Sequence, residues 1–169
     1  FLVIDRIIFI EKEEPKHKRI AGTEVLYLAN DSKTREDIFT EVCVIENSND
    51  CKDQAGAAVA WNIKQPVIVS DKTGEHAIGT ISAEPSWVNK PKEEADLKFL
   101  NIHAAKNSDA WKNRVLQQNW IIEGKGGAWI SQAGADGQAL AFRTRMYYAV
   151  GSKDEVLKAM LALRDQVEK

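Results

Sequence analysis

Residues 140–167 narrow the possible folds more than any other part of this chain. Leu140, Phe142, Met146, Tyr148 and Val150 recur at even positions, with Arg143, Arg145 and Tyr147 between them. A period of two belongs to a strand with one face on a core and the other toward water. Ser152-Lys153-Asp154-Glu155 follows as a capping box, in which serine and glutamate satisfy each other's free backbone N–H groups. Val156, Leu157, Met160, Leu161, Leu163 and Val167 then fall at helical spacing. They predict an amphipathic helix that covers the apolar face of the strand.

The 169 residues suit one domain, 1–169, with enough chain to bury a core of its own. Residues 2–12 and 23–29 are rich in the β-branched and aromatic types that favour strands. Residues 34–45 fit either period and lean to strand on their Val and Ile content. Residues 55–63 suit a buried strand or a short helix, and Pro66 bars a longer helix. Residues 66–70 and 75–82 flank Asp71-Lys72-Thr73-Gly74 and predict a hairpin.

Pro85 and Pro91 mark 84–94 as an irregular crossing, and 97–103 reads as a strand or as the tail of a helix begun at Pro91. Asn107 or Ser108 caps a predicted helix that ends near Gln118, with Trp111 and Val115 as an i,i+4 apolar pair. Gly124-Lys125-Gly126-Gly127 lies between two strand-like runs as a hairpin turn, and Gly134 to Gly137 opens the long strand. The expected class is therefore α+β: a mainly antiparallel sheet, a C-terminal amphipathic helix, and one or two further helices packed on one face.

Cys43 and Cys51 flank a turn-rich segment symmetrically about Asn47 and could bridge as cross-strand neighbours. Two reduced thiols fit equally well. The compartment, cytoplasmic or extracytoplasmic, depends on that choice. With 23 basic and 25 acidic residues interspersed, the net charge of −2 favours neither nucleic acid nor an anionic membrane. No apolar run reaches the roughly 20 residues of a helical membrane span.

Catalytic templates fit poorly. The glycine cluster at 124–127 lacks the Ser or Thr and the following helix of a phosphate loop. His17, His76 and His103 show no metal-ligand spacing, so neither a metal nor a cofactor is expected. No G-x-S-x-G elbow is present, and Cys43 has no basic neighbour in sequence.

The first functional expectation is a non-catalytic binding or adaptor domain. It engages a protein partner or an anionic ligand through a sheet face or hairpin tips. Its candidate residues are Arg143, Arg145 and Tyr147 on the outer strand face, with Lys125 and Trp129 in the preceding hairpin. One alternative is a small hydrolase or transferase in which His76 or His103 converges with a carboxylate such as Glu84 and an arginine. Another is a single-stranded nucleic-acid binder that uses Arg143, Arg145, Lys125 and Trp129.

Overall fold

The computed structural model describes residues 1–10, 16–28, 31, 33, 37–46, 49–54, 57–106 and 114–167. The chain runs through β1 (Leu2–Ile10), β2 (Arg19–Tyr27), β3 (Glu41–Ile45), β4 (Cys51–Asp53), β5 (Ala58–Ala60) and β6 (Val67–Ser70). It continues through β7 (Ala77–Ser82), β8 (Ser86–Asn89), β9 (Ala95–Lys106), β10 (Arg114–Gly124) and β11 (Leu140–Gly151), then α1 (Lys153–Val167).

Two antiparallel sheets result. The first has the order β1-β11-β7-β6-β3-β4, with β8 also paired to the N-terminal half of β11. The second has the order β2-β10-β9-β5. Each buries the face on which its apolar residues alternate. Val42, Val44, Val67, Val69, Met146 and Tyr148 of the first sheet meet Leu26, Ile102, Ala104 and Leu116 of the second. Burial pushes the Tyr148 hydroxyl up to about 12.

Further along the same interior, Phe142 packs edge-on against Trp120 with ring centroids 4.5 Å apart, and against Trp87 at 6.3 Å. Each fully buried side chain of this size stabilises by roughly 1.5–3 kcal/mol. A polar belt separates the two apolar clusters. Gln118, fully buried, donates from Nε2 to Ser82 Oγ across the sandwich. At the open edge Arg6 of β1 reaches Glu24 of β2 at 2.9 Å and ties one sheet to the other.

Helix α1 begins at the expected cap. Ser152 N donates to Glu155 Oε2 at 2.9 Å, and these serine bonds hold the Glu155 carboxyl below its ordinary range. The helix does not cover the face that carries Leu140 and Phe142. The second sheet takes that face, and α1 packs on the opposite one through Val156 and Met160 against Ile68, Ala77, Ile81 and Ala149. Gly79 makes the close approach possible, since a Cβ there would lie 2.6 Å from Val156 Cγ1 and from Met160 Cγ.

Other expectations need correction. Among the described residues α1 is the only α-helix, so the further helices are not found. The helix expected up to Gln118 falls partly on 107–113, outside the described residues, and from Arg114 the chain is strand β10. The crossing at 84–94 contains β8; the strand reading holds at 34–45, where Glu41–Ile45 is β3, and the strand alternative holds at 55–63, which contains β5, and at 97–103, which lies within β9. Val150 is exposed rather than core, and the pairing of β11 with β1 ends before it, at Tyr148.

The 124–127 segment is a turn, with Gly126 and Gly127 at φ 62° and 76°. It does not close a hairpin, because the run after it bridges through Ile130 to His17 instead of returning along β10. Cys43 and Cys51 stand within disulfide distance with Cα atoms 5.5 Å apart. Their placement is diagonal rather than directly opposed, since Cys43 faces Asp53 and Ile45 faces Cys51.

Candidate functional site

The pairing of β1 with β11 assembles the most distinctive surface of the molecule. Directly opposed residues of an antiparallel pair point to the same side. Val3 lies opposite Tyr147, Asp5 opposite Arg145, Ile7 opposite Arg143 and Phe9 opposite Ala141. All eight project on the side away from the second sheet, the side on which α1 also packs. The helix occupies the part of this face over β7, β6 and the end of β11. Among the described residues no helix or strand packs over β1 and the Arg143–Arg145 stretch of β11, whereas at the β8 end the 134–139 segment closes on Asn89 and Ala141 is buried.

That uncovered part is unusually apolar for a solvated face. Val3, Ile7 and Phe9 are 50%, 46% and 69% exposed, and Val88 at the bulge of β8 is 54% exposed. In their midst Asp5 accepts a hydrogen bond from Arg145 Nη2 and lies 3.4 Å from Arg143 Nε. The Arg145 bond holds the Asp5 carboxyl below its ordinary range, and Asp5 in turn raises Arg145. One carboxylate thus serves two guanidiniums, and Arg145 Nε is buried with no acceptor. The cluster carries a surplus of one positive charge and several unused donors.

The five residues singled out in the sequence do not converge. Arg143 and Arg145 stand on this face as expected, half exposed, and Asp5, which holds them, is distant in sequence. Tyr147 joins them through a side-chain hydrogen bond with Arg145, and is partly buried against the α1 cluster. Lys125 and Trp129 belong elsewhere, to the turn that follows β10 of the second sheet. There a groove of about 480 Å³ is lined by Lys18, Arg19, Lys98, Lys125, Asp96 and Glu123, among others. Its lining carries more cations than acids, and three of the cations are paired: Arg19 Nε donates to Glu123 at 2.8 Å, Lys98 lies 3.2 Å from Asp96, and Lys125 lies 3.6 Å from Glu94. Lys18 stands over the Trp129 ring at 5.3 Å.

The histidines are also apart. His76 Nδ1 bonds Asp71 Oδ2 at 2.7 Å in the turn between β6 and β7, which draws Asp71 down to about 2. Glu84 lies beyond the opposite end of β7, where it accepts from Phe99 N, and His103 is in β9 of the other sheet. Among the described residues no three His, Cys, Asp or Glu side chains group as metal ligands.

Sequence reasoning missed Asp5, Ile7, Phe9 and Val88. The period-two run Val3-Asp5-Ile7-Phe9 was the available signal, a charge placed among apolar residues on one strand face. No protein-family model matches the chain, and searches of curated proteins and of solved structures find no match either, so the site is known from its geometry alone.

Proposed function

We propose that this chain is a non-catalytic binding domain that docks a protein partner on the exposed part of the outer face, over β1 and the Arg143–Arg145 stretch of β11. One observation carries the reading: Val3, Ile7, Phe9 and Val88 stand exposed together around Arg143 and Arg145, on a face that α1 covers only in part. Contiguous apolar patches rimmed by polar groups mark interaction sites, and interfaces are enriched in aromatic residues and arginine. Covering Phe9 alone removes on the order of 100 Å² of apolar surface from water, which is about 2.5 kcal/mol of driving force. A bridge between Cys43 and Cys51 would suit a domain that works where disulfides persist.

The test places a photo-crosslinking amino acid at position 9, or at position 72 in the β6–β7 turn as control, in the cells that make this protein. A discrete adduct with another protein is expected from position 9. Equal labelling from the two positions would refute the reading.

A further inference from the structure

Resting on that reading, we propose that the occupant of this face is an amphipathic helix of the partner, laid beside α1, with an inward carboxylate for Arg143 and Arg145 between apolar side chains for Val3, Ile7 and Phe9. The outer face of the first sheet already takes a helix, since α1 packs on it through Val156 and Met160. Sheets that carry helices do so as a layer, and the main contacts of α1 are with β7, β11 and β6. The exposed strip lies over β1 and the Arg143–Arg145 stretch of β11, neighbouring strands about 5 Å apart, and is narrow enough for one helix to cover. From Val3 to Phe9 is about 20 Å along β1, the length of roughly 13 helical residues.

Charge decides what that helix must bring. Docking strips water from the cluster, and one carboxylate then faces two guanidiniums. An uncompensated charge buried in an interface opposes binding, so a partner carboxylate is required. A second copy of this chain would bring two more arginines for one aspartate and would deepen the surplus. A strand added at the free edge of β1 would satisfy backbone groups and leave the arginines unanswered.

The experiment selects displayed 18-residue peptides of random sequence on the immobilised full chain and counter-selects on Ile7→Asp/Phe9→Asp. Both positions are on the exposed surface, so that variant should keep the wild-type circular dichroism and melting. Face-dependent peptides are expected to carry apolar residues at i, i+3 or i+4 and i+7 with an Asp or Glu between them. They should become helical on binding, and their Kd should weaken at least tenfold on Arg143→Gln/Arg145→Gln. Face-dependent peptides that bind extended, or that carry no acid, overturn the helix while leaving a docking face in place. A selection that yields no face-dependent peptide overturns the helix and counts against the docking reading too.

Discussion

Gly22→Ala adds one methyl group where the sandwich has no room for it. Gly22 of β2 lies opposite Trp120 of β10, and a Cβ built on it would stand 2.6 Å from Trp120 Cε2 and Cη2, with Cζ2 closer still. Ordinary van der Waals contact begins near 3.4 Å, so the indole would have to retreat by about an ångström. It cannot do so freely, because Phe142 stands against it at 4.5 Å and Trp87 supports Phe142 from the other side.

Two effects of opposite sign compete. Replacing an extended glycine by alanine restricts the unfolded chain and stabilises by about 0.4–1 kcal/mol. Overpacking a rigid aromatic cluster costs about 1–3 kcal/mol. The clash should win by roughly 1–2 kcal/mol, a fall in Tm of about 2–8 °C for a chain of this length. Thermal and guanidinium unfolding followed by circular dichroism measure it. Trp120→Phe in the same background shortens the ring and should recover about 1 kcal/mol, as a coupling between the two sites. If Gly22→Ala raises Tm, or if the two changes add without coupling, this account of the core is wrong.

Two further outcomes follow from the same geometry. Reduction of Cys43 and Cys51 should add two hydrogens to the intact mass and lower stability by about 2.5 kcal/mol, the chain-entropy value for a sequence separation of 8; identical masses with and without reductant would exclude the bridge. Asp71 is held near 2, first by the His76 hydrogen bond and then by Thr73 and Gly74, against an ordinary value of 3.8. A depressed carboxyl stabilises the fold above its unfolded value, so this contribution is complete above about pH 4 and is lost as pH falls to about 2. In His76→Gln the Asp71 midpoint, followed by NMR, should rise toward 3.8, whereas an unmoved midpoint would transfer the effect to Thr73 and Gly74.

What was legible in the sequence was whatever local chemistry dictates. The cap at Ser152 and Glu155, the turn between β6 and β7, and the alternation of β11 each depend on neighbours within a few residues. The first half of β10 was hidden because one of its inward positions is Gln118, which breaks the apolar alternation of Leu116, Trp120 and Ile122. That glutamine is tolerated only because Ser82, 36 residues away, accepts its hydrogen bond. The prolines concealed β8, although Pro85 and Pro91 bracket the strand instead of interrupting it.

The candidate site divides in the same way. Alternation alone placed Arg143 and Arg145 together on one face of a strand, and it did so correctly. Their partner Asp5 is 140 residues from Arg145, and only the pairing of β1 with β11 brings it there. The side on which the helix lands was likewise undecided by the sequence, because both faces of β11 carry apolar residues. The face with Leu140, Phe142, Met146 and Tyr148 is the more apolar, and the second sheet claims it. α1 is left the face with Ala149 and Tyr147 and is long enough to cover only part of it. Local periodicity therefore determined the elements, while competition between sheet and helix for the same buried surface decided which residues remain exposed.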